Sequence, residues 1–221
     1  MLTGIFTGML SLMTPSSTSS ARAAMLVPSQ IRAVSELGMT LPDVTPLWFG
    51  ESAWPTSAVA VEAAVEALQQ GYHFYQPNSG RNTLREVLCD YLHRCYGQPV
   101  DRRRITVTAS GMQGLALTAQ ALIDPGDEVV CIDPAWPNMA ECFQIAGASM
   151  KRLALEVRDD RWSLDMGRLI SAITPRIKAV IINSPSNPTG WVMPATDQKA
   201  LLEHCRGTGT WIVADDVYAR L

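Results

Sequence analysis

Hydrophobic and polar positions follow two regimes along the chain, changing near residue 104. Before it, the clearest pattern is helical. Leu84, Val87, Leu88, Tyr91, Leu92 and Cys95 recur at helical spacing, and Gly97 ends the run. Ser57 is placed to cap a helix from Ala58 to Gln70 with Gly71 as its stop, and Ile31 to Leu37 reads as a short helix closed by Gly38. Leu41 to Gly50, interrupted by Pro42 and Pro46, reads as extended chain, and Tyr72 to Gly80 is too turn-rich for a helix. After residue 104, short apolar runs alternate with amphipathic segments. The runs predict strands at Ile105 to Thr108, Val129 to Ile132, Met150 to Leu155, Lys178 to Ile182 and Trp211 to Ala214. The segments predict helices near Met112 to Leu122, Asn138 to Ala146, Met166 to Ile173 and Thr196 to Arg206, with Asp124-Pro125-Gly126-Asp127 as a turn into the second strand. Such alternation predicts an α/β domain, three-layered α/β/α, with a mostly parallel sheet.

Composition narrows the function classes. With 221 residues, 47% hydrophobic and 18% charged, the chain can bury a sizeable core, as one large domain or part of a bigger one. A formal net charge of -3 leaves no basic footprint for nucleic acid, and Arg102-Arg103-Arg104 reads as a solvated face. Cys89, Cys95, Cys131, Cys142 and Cys205 form no C-x-x-C pair, and His73, His93 and His204 are scattered, so no metal site is expected. The cysteines read as core filler in a reduced, cytoplasmic setting. Residues 1–28 read as a disordered leader or the product of an upstream start codon: Met1 to Met13 lacks the basic and long apolar regions of a signal peptide, and Thr14 to Ser20 is rich in Ser and Thr. Nothing approaches the ~18 consecutive apolar residues of a membrane span.

The candidate chemistry collects where the predicted strands end. A parallel sheet places all strand carboxyl ends at one edge, where ligands bind. The first predicted strand runs through Ser110-Gly111-Met112 into a helix, whose free amides and positive end suit a phosphate. The second leads to Trp136. The fourth leads to Asn183-Ser184-Pro185-Ser186-Asn187-Pro188-Thr189-Gly190, where each proline fixes its own φ and restrains the residue before it. The fifth leads to Asp215-Asp216-Val217-Tyr218. Each feature has an ordinary alternative: a tight turn at Ser110-Gly111, core packing for Trp136 and Tyr218, a helix cap for Asp215, a plain strand-to-helix turn for the Asn-Pro loop. Together they offer a phosphate seat, an aromatic plate, an amide and a carboxylate. A planar, phosphorylated heteroaromatic ring with a basic nitrogen uses all four, and pyridoxal phosphate is the natural candidate.

These residues resemble the class I/II aminotransferases, the aspartate-aminotransferase-like branch of fold-type I pyridoxal-phosphate enzymes. The resemblance runs from about Ser29 onward, most specifically through Asn183 to Gly190, Asp215 to Tyr218, and Pro125-Gly126-Asp127-Glu128-Val129 with Pro134-Ala135-Trp136. Leu47 to Glu51 and Tyr75 to Gly80 resemble two earlier family motifs. The resemblance implies transfer of an amino group between an amino acid and a 2-oxo acid, in amino-acid metabolism. It assigns residues 29–50 to an N-terminal arm of the small domain and residues 51–221 to the cofactor-binding large domain. It implies that Asp215 pairs with the pyridine nitrogen, and that Asn187 and Tyr218 bond the ring's phenolic oxygen. Trp136 would stack on the ring, and Ser110, Gly111 and Met112 would hold the phosphate. Tyr75 would reach the phosphate of a second subunit, implying a homodimer, and Gly50, Trp136 and Asn187 would lie near the substrate.

The family's Schiff-base lysine lies a few tens of residues beyond the position of Tyr218, past Leu221, and none of Lys151, Lys178 and Lys199 falls in the matching motif. The chain is therefore expected to be the N-terminal half of such an enzyme, inactive and poorly soluble on its own. Two alternatives keep the scaffold: a pyridoxal-phosphate C–S lyase or decarboxylase, and the effector-binding domain of a regulator, for which residues 1–28 leave no room for a winged helix. A nucleotide-dependent dehydrogenase fits worse, since G-x-G-x-x-G is missing after the first predicted strand.

Overall fold

The alternating region forms a four-stranded, wholly parallel sheet in the computed structural model, which describes residues 20–220. The described helices are α1 (Ala21–Ala24), α2 (Gln30–Gly38), α3 (Ala58–Gln69), α4 (Asn82–Tyr96), α5 (Gly111–Leu122), α6 (Pro137–Ala146), α7 (Met166–Ala172) and α8 (Ala195–Thr208). The strands are β1 (Glu128–Asp133), β2 (Ser149–Ala154), β3 (Glu156–Arg158), β4 (Arg161–Ser163), β5 (Ile177–Asn183) and β6 (Trp211–Asp215). Two compact units result: residues 29–109, with α2 to α4, and residues 110–220 with 20–28, which hold the sheet. Of the anticipated leader, residues 1–19 lie outside the described residues, while Ser20 caps α1 through Ala23 N–H.

Sheet order is β2-β1-β5-β6, and its central strands are buried on both faces. Successive residues alternate between two cores. Val130, Ile132, Val180 and Ile182 pack with Leu169 and Ile173 around α7, and with Leu201 and Cys205 of α8. Val129, Cys131, Ala179 and Ile181 pack with Ala119 of α5 and with Met139 and Phe143 of α6. This is the three-layer α/β/α arrangement the alternation predicts. The side on which the next strand is added changes between β1 and β5, while all four strands stay parallel: β1 connects through α6 to β2, whereas β5 connects through α8 to β6 on the other side. A crevice opens outside the strand ends at such a switch.

Two local expectations need correction. Ile105 to Thr108 is extended but joins neither sheet; its Val107 N–H donates to Ser79 O at 3.0 Å. An apolar run becomes a strand only where a neighbour completes the ladder, and the order β2-β1-β5-β6 gives this run none. Leu41 to Gly50 is not simply extended, since a turn forms at Pro42-Asp43, where Asp43 has φ 56°. The antiparallel β3–β4 hairpin was not foreseen. Its loop is Asp159-Asp160, with φ values of 50° and 58°, the conformation of a two-residue hairpin turn that Asp tolerates. Within the first unit, Arg85 ties α4 to the segment that follows it, donating to Ile105 O at 2.8 Å.

Candidate active site

Three of the four strand ends at the carboxyl edge are polar: Asp133 on β1, Asn183 on β5 and Asp215 on β6, with Ala154 on β2 beside Asp133. In the parallel register Asn183 lies opposite Asp215. The Asn183 carboxamide is 5% exposed, and burial there requires that both its ends be satisfied. Nδ2 donates to the Asp215 main-chain carbonyl at 3.0 Å, and Oδ1 accepts from Asn187 N–H at 2.7 Å. Ser184 N–H donates to the same carbonyl at 3.2 Å.

The Asn-Pro loop is pinned throughout. Ser184 Oγ accepts from Met193 N–H at 2.9 Å, Ser186 N–H donates to Trp191 O at 2.9 Å, and Gly190 N–H donates to Ser186 O at 2.8 Å. Trp191 and Met193 are buried in the core below. The loop is thus a rigid mount that leaves the Asn187 amide half-buried, with Nδ2 donating to Tyr218 Oη at 3.3 Å. Asp215 is half-buried, and its Oδ1 accepts from Val217 N–H at 3.1 Å. Asp216 is exposed as a residue, yet partial burial, with the Asp215 charge second, raises its carboxyl above the usual range.

Trp136 stands just before α6, half-buried against the core that includes Phe143 and Met139. Part of the residue packs on that core and the rest remains accessible. Ser110 caps α5, its Oγ accepting from Gln113 N–H at 3.1 Å. The N–H groups of Gly111 and Met112 belong to the first turn, which the helical ladder does not use. A side chain built at Gly111 would meet nothing within 4 Å, so space is open there. Because α5 leads through the turn at residues 124–127 into the start of β1, its N-terminus lies toward the carboxyl edge.

The structure therefore brings Asn187, Tyr218 and Asp215 together and sets Ser110, Gly111, Met112 and Trp136 on the helices leading from or toward the same edge. Gly50 and Tyr75 belong to the other unit; both are exposed, Tyr75 at 105%. Sequence reasoning missed Asn183 as the connecting residue. The available signal was a polar residue closing the wholly apolar stretch before it, because such a residue is buried with the strand and must find partners. It also missed Arg152, which donates to Asp133 Oδ2 at 2.8 Å and fixes the end of β1. The donor set fits pyridoxal phosphate: a carboxylate for a ring nitrogen, two neutral donors for a ring oxygen, and helix amides with open space for a phosphate.

Comparison with known proteins agrees with this chemistry. Residues 42–221 match the family described as "Aminotransferase class I and II", and the chain belongs to it. The enzymes of this family depend on pyridoxal phosphate. An aspartate aminotransferase of Geobacillus stearothermophilus is 34% identical over 204 residues, covering 90% of this chain and 52% of that enzyme. An arginine–pyruvate transaminase of Pseudomonas aeruginosa is 31% identical over 180 residues, 81% of this chain and 45% of that enzyme. Among solved structures, the Thermus thermophilus aspartate aminotransferase with maleate superposes with a TM-score of 0.85 at 34% identity, over 92% of this chain and 54% of the other. The chain spans about half the length of the curated relatives it matches. Among the described residues no helix is long and apolar enough to cross a membrane.

Proposed function

We propose that the protein is a pyridoxal-phosphate-dependent transaminase that moves an amino group between an amino acid and a 2-oxo acid. The observation that carries this is the Asn187–Tyr218 contact beside Asp215, held by a buried asparagine at a parallel strand end. When bound, the cofactor supplies an electron-accepting ring that stabilises negative charge at the α-carbon of the amino acid. Asp215 keeps a proton on the ring nitrogen by its charge, which raises that nitrogen's basicity. Asn187 and Tyr218 donate to the phenolic oxygen. Trp136 covers one ring face, and Ser110, Gly111 and Met112 bind the phosphate at the α5 N-terminus. Gly50, Trp136 and Asn187 border the amino-acid substrate. Tyr75 of the partner subunit completes the phosphate site in a homodimer, a reading supported by its full exposure and by the exposed apolar side chains of α3, Val59 and Leu68 among them.

The test is conversion of a 2-oxo acid into its amino acid by the complete gene product, given pyridoxal phosphate and an amino donor. Release of ammonia or a thiol without new amino acid would contradict it. The 221 residues alone are proposed not to turn over, because none of their three lysines falls in the motif that carries the family's Schiff-base lysine. Lys151 pairs with Glu128 at 3.1 Å and Lys178 with Asp127 at 4.0 Å, both at the amino edge of the sheet. Lys199 is exposed on α8. Sustained transamination by the purified 221-residue chain would overturn that part.

A further inference from the structure

We infer that Asn183 is a positioning residue: it sets Asp215 and Asn187 relative to each other and thereby the affinity of the rim for a phosphorylated pyridine. The inference rests on the cofactor reading above. Asp215 and Asn187 are far apart in sequence, yet one buried carboxamide spans them. It donates to the Asp215 carbonyl at 3.0 Å and accepts from the Asn187 N–H at 2.7 Å. The link closes into a circuit, because the Asn187 side chain donates to Tyr218 Oη and Tyr218 follows three residues after Asp215 on the same short segment.

A side chain of leucine size would fill the same volume and leave both main-chain groups to other partners. Asn183 instead fixes the backbone at the two residues whose side chains face the ring. The direction of the Asp215 carboxylate depends on that backbone, since its own Oδ1 is bound to Val217 N–H at 3.1 Å. Displacement at residue 183 is therefore passed to the carboxylate on one side and to the amide on the other. Asn183 itself donates nothing to the ring.

The test uses pyridoxamine 5′-phosphate, which needs no lysine to bind, titrated against unmodified protein, Asn183→Ala, Asn187→Ala and the double variant, with melting temperature followed in parallel. Asn183→Ala is expected to weaken binding about tenfold, the effect of losing one 1.4 kcal/mol interaction. In the Asn187→Ala background the same substitution should cost clearly less, because residues acting through one network are non-additive. An equal factor in both backgrounds, or unchanged affinity with a lower melting temperature, would reduce Asn183 to a structural residue and overturn the inference. Should Asn183→Ala fail to fold, Asn183→Asp carries the test: it keeps the acceptor for Asn187 and loses the donor to Asp215. Intermediate affinity is then expected, and affinity equal to that of the unmodified protein overturns the inference. No binding by the unmodified protein would overturn the cofactor reading itself.

Discussion

Asn187 Nδ2 donates to Tyr218 Oη at 3.3 Å, across 31 residues of sequence. One residue sits on a proline-stiffened loop after β5 and the other on the segment after β6, so the contact exists only because those strands are parallel neighbours. It places two neutral donors beside Asp215. A ring oxygen received there would be held in its ionised form, because donors to the charged form stabilise it.

That arrangement predicts the behaviour of Tyr218→Phe. Removing one donor raises the pKa of the cofactor's phenolic group, so the midpoint of its absorbance change with pH should move upward by about 0.5–1 unit. A midpoint that stays in place, with cofactor bound, would remove Tyr218 from the site.

Trp136→Ala should weaken pyridoxal phosphate binding by about tenfold, while Trp136→Phe keeps most of the affinity, since either ring can cover the cofactor face. Because Trp136 also packs on the core, chemical denaturation should show a stability loss for the alanine variant. Equal affinity in both variants would make Trp136 purely structural.

Much of this was legible in the sequence, for identifiable reasons. Strands such as Val129–Ile132 and Lys178–Ile182 are short apolar runs buried on both faces, and such runs cannot remain in solvent. Helix limits were marked by Ser57 and Gly97, whose local chemistry requires no tertiary context. Ile105 to Thr108 misled because strand formation depends on a neighbour, which no local pattern reveals. The Asp159-Asp160 hairpin was missed because two positive-φ aspartates resemble an ordinary polar loop. At the rim, the side chains proposed to face a ligand were visible as residue types. Asn183 was visible only as a polar residue closing an apolar run, because the main-chain groups its side chain binds are brought near by folding.

The double-sided core gives a stability prediction. Phe143 is fully buried between α6 and the sheet, so Phe143→Ala should cost about 3–5 kcal/mol in urea unfolding. A loss below about 1 kcal/mol would mean that this core is not packed as described.

Cys131 should be inert. Burial, reinforced by the Asp133 charge, pushes its thiol up from an ordinary value near 9 to about 12. The folded value is raised, so the stability this thiol contributes is complete below pH 9 and is lost as pH climbs from 9 toward 12, where the unfolded chain ionises first. In alkylation at pH 8, Cys131 should stay unlabelled while the partly exposed Cys89 and Cys95 react, and denaturant should equalise all three. Rapid labelling of Cys131 in native protein would contradict its placement.

The central claim is tested most directly by a crystal structure of the complete gene product with pyridoxal phosphate. The account predicts a ring against Trp136, its nitrogen about 2.7–3 Å from the Asp215 carboxylate and its phenolic oxygen facing Asn187 and Tyr218. A cofactor bound elsewhere, or bound with Asp215 turned away from the ring nitrogen, would contradict it.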